Sequence, residues 1–243
     1  MNLVFDIGNT YTKIALYDGE KKMTSARTKV SSPEKLSEIF CNYLDKVDGA
    51  IISSVRNIPD FIIDLATHDI PFVHILSDKT KLPFRIEYET PETLGPDRIA
   101  AVAGAYHMFP GREILVIDAG SAITYDYLSG KSYKGGNISP GLTRFKALHR
   151  FTGKLPLGAT LIKYSSPGKN TLDAITAGVT DGLIFEINEY IRIFQKDNLD
   201  SMVILTGGDS GYLKDRISYK TNYQPDLILA GLNYILEYNA KQA

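Results

Sequence analysis

The chain has 243 residues, 44% hydrophobic and 23% charged, so it can form a packed core and does not have the composition of a disordered protein. Its 27 lysine and arginine residues nearly balance 28 aspartate and glutamate residues, and the net charge of −1 predicts neither a nucleic-acid nor a membrane partner. The single cysteine, Cys41, excludes a disulfide framework. Because the sequence has no signal-peptide pattern and no apolar run of about 20 residues, we expect a cytoplasmic protein.

The first half of the chain alternates predicted strands and helices. An apolar strand over residues 3–5 ends at the loop Asp6-Ile7-Gly8-Asn9-Thr10, and Asp18-Gly19 indicates a hairpin between the next two strands. The elements predicted after the loop are, in order, strands over 12–17 and 22–28, a helix over 32–44, a strand over 49–55, a helix over 59–67, a strand over 72–76 and a helix that begins at 95–97.

The same pattern begins again in the second half. An apolar run over residues 114–117 ends at Asp118-Ala119-Gly120-Ser121, and a predicted strand over 123–127 and a turn at Ser129-Gly130 follow. Three residue types recur at one constant spacing, Asp6, Gly8 and Thr12 in the first copy and Asp118, Gly120 and Thr124 in the second. We therefore predict two similar α/β halves, residues 1–110 and 111–243, each with one phosphate loop and with a cleft between them. A single Asp-x-Gly after a strand is also typical of an ordinary turn.

The first of these loops has the residue types that ATP-dependent phosphoryl transfer needs, which are donors for the phosphates and a carboxylate for a divalent cation. Gly8 lets the backbone approach a phosphate, Lys13 adds a positive charge, and Asp6 can hold Mg²⁺ directly or through water. The alternative is an ordinary turn beside a solvated lysine. In the second loop, Asp118 and the Ser121 hydroxyl repeat the arrangement. The sequence lacks the P-loop and Rossmann glycine motifs, which argues against those nucleotide sites.

The acceptor side is predicted at the segment Gly95-Pro96-Asp97-Arg98. In the functional interpretation Asp97 is a general base and Arg98 binds a substrate carboxylate. In the alternative, Asp97 is an acid at a helix start and Arg98 its surface partner. The glycine-rich segment 135–141 either shapes the acceptor pocket or only connects a hairpin to a helix, and Thr206-Gly207-Gly208-Asp209 either accommodates adenosine or is a plain turn.

Taken together and in this order, these motifs resemble the type III pantothenate kinase family. The matching segments extend over almost the whole chain and are 6–10 with Lys13, Gly95-Pro96-Asp97-Arg98, 118–122, 135–141, Leu155-Pro156, Asn170-Thr171 and 206–209. The resemblance implies the duplicated ribonuclease H-like, actin-like fold of the ASKHA phosphotransferases, active as a homodimer. It also implies ATP-dependent phosphorylation of pantothenate to 4′-phosphopantothenate, the first step of coenzyme A synthesis.

The resemblance assigns a role to each matching residue. It implies Asp97 as the catalytic base and Asp118 as the ligand of a monovalent cation, K⁺ or NH₄⁺. The implied ATP-binding residues are Asp6, Ile7, Gly8, Asn9, Thr10, Tyr11, Thr12, Lys13 and Ser121. The implied pantothenate-binding residues are Tyr88, Gly95, Pro96, Asp97, Arg98 and Thr171.

Two positions depart from the family pattern. Pro96 stands where a small or polar residue is usual and removes one N–H donor near the acceptor, and Ser121 replaces the usual threonine but keeps the hydroxyl. Two alternatives remain open at this point. One is another small-molecule kinase of the same superfamily, acting for example on a sugar, and the other is an inactive accessory regulator, for which the presence of Asp97 and Asp118 is unexpected.

Overall fold

The computed structural model describes residues 1–9, 11–29, 41–60, 62–64, 70–160, 163–198 and 200–242. Within these residues the chain forms two compact units. One comprises Met1–Gly111, Gly130–Lys134 and Asp226–Ala243, and the other comprises Arg112–Ser129 and Gly135–Pro225. The predicted cut after residue 110 lies beside the first boundary, but the last segment of the chain belongs to the first unit. The division into halves with one phosphate loop each stays a prediction.

The strands described are β1 (Asn2–Ile7), β2 (Tyr11–Asp18), β3 (Lys21–Lys29), β4 (Gly49–Ser54), β5 (Phe72–Ile75), β6 (Arg85–Ile86), β7 (Glu113–Ala119), β8 (Ala122–Ser129), β9 (Ser132–Pro140), β10 (Met202–Thr206) and β11 (Asn222–Tyr223). The helices are α1 (Pro96–Met108), α2 (Arg144–Phe151), α3 (Thr171–Lys196), α4 (Ser210–Leu213) and α5 (Leu227–Ala240), with short 3₁₀ helices at Cys41–Lys46 and Pro91–Thr93. Among the described residues, no helix combines the length and hydrophobicity that a membrane crossing requires.

The predicted helix over 32–44 lies largely outside the described residues, and its last part belongs to the 3₁₀ helix Cys41–Lys46. The helix predicted over 59–67 is described only at residues 59–60 and 62–64, where it is helical from residue 60.

The sheet of the first unit has the strand order β3-β2-β1-β4-β5. β2 runs antiparallel to both β1 and β3, whereas β4 is parallel to β1 and β5 is parallel to β4. Because side chains alternate along a strand, Leu3, Phe5 and Ile7 lie on one face of β1 and pack in a hydrophobic core. Val4 and Asp6 lie on the other face.

Helix α5 covers the face of β1 that carries Asp6. The amide of Asn2 donates hydrogen bonds to Asn233 (2.9 Å) and to Glu237 (2.6 Å) of α5, and Asn2 is on the same side of β1 as Asp6. Helix α1 packs against both α5 and β4. The face that carries Asp6 is therefore closed by two helices, and the Asp6 side chain lies at the C-terminal end of the strand that they cover.

The second unit repeats this topology. Its strands lie in the order β9-β8-β7-β10-β11, in which β8 is antiparallel to β7, β10 is parallel to β7 and β11 is parallel to β10. Counted within each unit, both orders are third, second, first, fourth, fifth. The long helix α3 packs its buried residues, among them Leu183, Ile187 and Ile191, against Leu115 and Ile117 of β7. The predicted duplicated ribonuclease H-like fold is confirmed.

One detail of the predicted repeat is wrong. In the first unit Asp6 pairs with Lys13 across the hairpin, whereas in the second Asp118 pairs with Thr124. The second loop is thus one residue shorter, so the structural counterpart of Lys13 is Thr124. Thr12 and Thr124 are therefore not at equivalent positions, although both are threonine. The second loop has no lysine at the position that corresponds to Lys13.

The helices α1 and α5 are in close contact at two glycines. A Cβ built on Gly231 lies 1.9 Å from the carbonyl oxygen of Ala100 and 2.7 Å from the backbone nitrogen of Gly104. A Cβ built on Gly104 lies 2.5 Å from the carbonyl oxygen of Leu227. These neighbours are backbone atoms, which cannot move without separating the helices. Glycine at both positions is therefore a packing requirement.

We predict that Gly231→Ala lowers the free energy of unfolding by about 1–3 kcal/mol, the usual effect of adding a methyl group to a filled interface. Urea denaturation measures this change. The control is Gly211→Ala in α4, where the added Cβ makes only an ordinary contact at 3.5 Å with Tyr223. An alanine at 231 that matches or exceeds the wild-type stability contradicts the close contact between α1 and α5.

Candidate functional site

The first cluster of predicted site residues is centred on Asp6 in the first unit. The register of β1 places Asp6 directly between Lys13 on β2 and Ser53 on β4. Asp6 is only 8% exposed. The pKa of its carboxyl is raised to about 6, mainly by burial. The negative charge of Asp97 also raises this pKa, whereas the nearby Lys13 lowers it. Asp6, Lys13 and Asp97 therefore interact electrostatically at one end of this sheet.

Asp97 lies in the first turn of α1. Gly95 is the N-cap residue of the helix and Pro96 follows in the first turn, where a missing N–H costs no intrahelical hydrogen bond. The Asp97 carboxylate accepts a hydrogen bond from the backbone N–H of Arg98 (2.8 Å). A Cβ on Gly95 would lie 2.5 Å from the Asp97 Oδ1 atom. The glycine before the helix thus leaves space for this carboxylate, which is not the helix cap itself.

Arg98 is buried rather than at the surface, because only 5% of it is exposed. Its guanidinium carbon lies 5.7 Å from the centre of the Tyr88 ring. Tyr88 in turn stacks on Tyr133 of β9, with ring centres 6.4 Å apart. The alternative in which Arg98 is a surface partner of Asp97 is therefore wrong, because Arg98 is buried. No local sequence pattern indicates Tyr133, because its position depends on the pairing of Arg85 and Ile86 with the first residues of β9.

The other residues of the first loop contribute in different ways. The backbone N–H of Gly8 donates to the carbonyl of Tyr11 (3.0 Å), which closes the turn and uses that donor. Ile7 and Thr12 are buried and face each other in the register, on the core side of the sheet. Asn9 is exposed, so its side chain can reach a phosphate. Thr10 lies outside the described residues.

Tyr11 contacts the side chain of Arg27, whose guanidinium carbon lies 3.7 Å from the ring centre. This cation–π pair fixes the tyrosine ring over β3. In the described part of the first loop, Lys13 is the basic side chain on the same face of the sheet as Asp6.

The second loop is held in place by the glycine-rich segment that follows β8. The carbonyl of Ser121 accepts hydrogen bonds from the N–H of Gly141 (3.1 Å) and from the hydroxyl of Thr143 (2.8 Å). A Cβ on Gly141 would lie 2.2 Å from the carbonyl oxygen of Gly120. Ser121 itself is exposed, so its hydroxyl is accessible to a ligand. The segment 135–141 thus supports the loop instead of only connecting two elements.

Asp118 is the last residue but one of β7 and is packed against the loop after β10. Gly207 has φ +99°, and a Cβ there would lie 2.3 Å from the Asp118 Oδ1 atom and 2.3 Å from the Ala119 carbonyl oxygen. The N–H of Asp209 donates to the same carbonyl (2.8 Å). Glycine at position 207 is therefore needed for contact with the second loop. A role in holding adenosine stays a prediction.

A half-buried ion pair that the sequence analysis did not identify anchors the glycine-rich segment. The guanidinium of Arg144 donates to Glu186 of α3, to the Pro140 carbonyl (2.8 Å) and to the Ser139 hydroxyl (2.8 Å). The Tyr125 hydroxyl donates to the other oxygen of Glu186 (2.9 Å). Burial raises the pKa of Glu186, but the hydrogen bonds from Arg144 and Tyr125 outweigh burial and keep the pKa below its usual value.

Thr171 is the first residue of α3 and lines a cavity of about 590 Å³ in the second unit. The side chain of Asn170 caps the helix by accepting the N–H of Asp173 (2.9 Å). The cavity is mainly apolar, with Leu148, Leu155 and Ile175 in its wall, and Lys169 adds a positive charge. A small, partly apolar ligand with a hydroxyl or carboxylate suits such a lining.

The donor set for a metal ion is small. Among the described residues, no group of three or more histidine, cysteine, aspartate or glutamate side chains is arranged to hold a metal. A Mg²⁺ ion needs only one or two carboxylates when phosphate and water oxygens complete its shell. Asp6 fits this requirement, since its carboxylate is buried beside the negative charge of Asp97 and a cation would offset that repulsion.

Comparison with known proteins agrees with this geometry. Residues 2–193 match the family model of type III pantothenate kinases. A type III pantothenate kinase from Bacteroides fragilis is 43% identical over 242 residues, with 98% of each chain covered.

Among solved structures, a Campylobacter jejuni protein described as a Baf family transcriptional activator has a TM-score of 0.64 at 21% identity. The alignment covers 98% of this chain and 99% of that protein's chain. A Porphyromonas gingivalis protein named as an N-acetylglucosamine kinase has a TM-score of 0.54 at 11% identity, with 99% and 100% covered. These two structures support the fold alone. With a family model over most of its length and a relative of this identity, the chain belongs to the type III pantothenate kinase family.

Proposed function

We propose that this protein transfers the terminal phosphoryl group of ATP to the primary hydroxyl of pantothenate, which gives 4′-phosphopantothenate and ADP in the first step of coenzyme A synthesis. The observation that carries the proposal is the buried Asp6 carboxylate, coupled to Asp97 and paired across the hairpin with Lys13. This is the arrangement of cation-binding carboxylate, base and phosphate-binding cation that phosphoryl transfer requires. The sequence of the whole chain supports pantothenate as the acceptor.

Each residue has a definite task in this reaction. The oxygen of the pantothenate hydroxyl attacks the terminal phosphorus, the bond from that phosphorus to the bridging oxygen breaks, and ADP leaves. Asp97 accepts the hydroxyl proton as the new bond forms. Lys13 and the Ser121 hydroxyl bind ATP phosphates, and Asp6 holds the Mg²⁺ that accompanies them, which neutralises phosphate charge.

For the acceptor we propose contacts from two groups of residues. In the first unit these are Tyr88 and the segment Gly95 to Arg98, where the buried guanidinium supplies charge for the pantothenate carboxylate. In the second unit Thr171 supplies a hydroxyl in its apolar cavity. We place the reaction in the cytoplasm, since a chain with one cysteine suits a reducing compartment.

A coupled assay of ATP consumption tests the proposal, with pantothenate and a panel of sugars, including N-acetylglucosamine, as acceptors. The sugars are included because a kinase named for that sugar shares the fold. We expect turnover with pantothenate and a product that carries phosphate on the primary hydroxyl. Turnover with a sugar and none with pantothenate would replace the proposal with the sugar-kinase alternative. No turnover with any acceptor, despite ATP binding, would favour the inactive regulator.

We predict that Asp97→Asn lowers kcat by about 10²–10⁴-fold, the usual effect of removing a general base, with little change in ATP affinity. Asparagine keeps the size of the side chain and can still accept the Arg98 N–H, so helix α1 should remain intact. Steady-state kinetics and a melting curve check both parts. A variant that retains more than about a third of the wild-type kcat would show that Asp97 is not the base.

Arg98→Ala is the contrasting variant. It removes a charge that contacts the acceptor in both ground state and transition state, so it should raise the pantothenate KM more than it lowers kcat. Because the guanidinium is buried against Tyr88, the melting temperature of this variant must be measured in parallel.

We also propose that Asp118 binds a monovalent cation, K⁺ or NH₄⁺, beside the ATP phosphates. Its carboxylate adds negative charge to a loop that has threonine where the first loop has Lys13, and a bound cation offsets this charge. We predict that the rate in K⁺ or NH₄⁺ exceeds the rate in Na⁺ alone, and that Asp118→Asn removes the difference. Equal rates in all three salts would contradict the cation site.

We further propose a homodimer formed through helix α3. Gly178, Gly182, Phe185 and Ile193 recur at helical spacing on one stripe of α3. Phe185 is 69% exposed and Ile193 is 52% exposed, and no atom lies within 4 Å of a Cβ built on either glycine. An apolar stripe with two glycines lets a second copy of the helix approach closely, which supports the second copy as the occupant.

We predict a dimer in analytical ultracentrifugation at micromolar concentration and a monomer of 26.9 kDa for Phe185→Glu. The matched control is Met23→Glu on β3, which changes an exposed hydrophobic residue (43%) of the first unit and should leave the dimer intact. A monomeric wild-type chain would contradict the dimer. Dissociation by both variants would show that α3 is not the specific interface.

A further inference from the structure

Ser53 lies beside Asp6 and was not singled out by the sequence. It is the fifth residue of β4, which runs parallel to β1, and its Cα pairs directly with that of Asp6. Residues paired in this way project to the same face of a sheet, about 5 Å apart. The neighbouring Ser54 alternates to the other face and donates its hydroxyl to the Arg56 carbonyl (2.6 Å). Ser53, Asp6 and Lys13 therefore form a row across three strands.

The Ser53 hydroxyl is buried without a hydrogen bond. The residue is only 1% exposed, and within the described part of the chain its oxygen has no partner among protein atoms. A buried hydroxyl with no partner is destabilising, because it has given up its hydrogen bonds to water. Because most buried polar groups are paired by protein, water or ligand, such a group beside a site carboxylate needs an explanation. Among the described residues, two other buried hydroxyls share this state, those of Thr180 and Ser201, and both belong to the second unit.

Neighbouring strands lie about 5 Å apart, which leaves room for a water between two short polar side chains. Asp6 and Ser53 make no direct hydrogen bond, although their strands are adjacent. A water molecule that donates one hydrogen to the carboxylate and the other to the hydroxyl oxygen fits between groups on neighbouring strands. Such bridges are frequent where buried polar groups face each other across a small gap.

We propose that Ser53 is a positioning residue for the cation of MgATP, in which its hydroxyl oxygen accepts a hydrogen bond from a water of the Mg²⁺ hydration shell that also donates to Asp6. This inference rests on the proposed function, because it requires a divalent cation beside Asp6. Mg²⁺ usually keeps several waters when bound by proteins, so an outer group that orients one of them fixes the position of the ion. The orphaned hydroxyl acquires its partner when MgATP binds.

Isothermal titration calorimetry on the full chain tests the inference with two probes, MgATP and ATP in the presence of EDTA. We expect Ser53→Ala to weaken MgATP binding about tenfold, which corresponds to about 1.4 kcal/mol, and to change the binding of metal-free ATP by less than about twofold. The ligand-free variant should melt at or above the wild-type temperature, because it loses an unpaired polar group. Ser54→Ala, on the opposite face of the same strand, should leave both affinities within about twofold of wild type.

Two results would overturn the inference. Unchanged MgATP affinity in Ser53→Ala would show that the hydroxyl does not act on the cation, and an equal loss for MgATP and metal-free ATP would show that it acts on packing. Neither result would affect the proposed kinase activity, provided that the wild type phosphorylates pantothenate. A wild-type chain that binds no MgATP at all would instead refute both proposals together.

Discussion

A carboxylate buried at the end of a central strand is costly unless something compensates its charge, and this cost shapes the first unit. Asp6 follows Leu3, Val4 and Phe5, all fully buried, and burial is the main cause of its raised pKa. Its immediate neighbours are a lysine on one strand and an unpaired hydroxyl on the other. A second carboxylate, at the start of α1, adds to the unfavourable charge. A cation bound at such a site would offset the cost of burying the carboxylate.

The second unit builds a related loop in a different way. Its turn is one residue shorter, and the residue opposite the strand-end aspartate is Thr124, whose hydroxyl donates to Asp126 (2.8 Å). The glycines at 141 and 207 bring two further segments into backbone contact with this loop. The same topology thus supports one loop that carries its own positive charge and another that is fixed by its neighbours. The two units share one topology, and the difference in loop length places Lys13 opposite the aspartate in one loop and Thr124 in the other.

Much of this arrangement can be predicted from the sequence because the signals are local. The apolar run before Asp6, the Asp18-Gly19 hairpin and the Pro96 helix start each depend on neighbouring residues, and each is present in the structure. The failures involve pairing over long distances. Three features depend on which strand or helix lies beside which. They are the register that makes Lys13 and Thr124 equivalent, the stacking of Tyr133 on Tyr88 and the Arg144–Glu186 ion pair. A single sequence does not record these choices, so Ser53 also could not be recognised before its strand was placed next to β1.

The position of α5 has a consequence for how the protein is made. This helix is the last described element of the chain, yet it covers the first strand and crosses α1 at Gly104 and Gly231. A nascent chain that ends before residue 226 therefore exposes the face of β1 that carries Asn2 and Asp6. Domains usually fold in the order of their synthesis, but here the unit that contains β1 is complete only after α5 has left the ribosome. The strand that carries Asp6 is therefore translated well before the helix that encloses it.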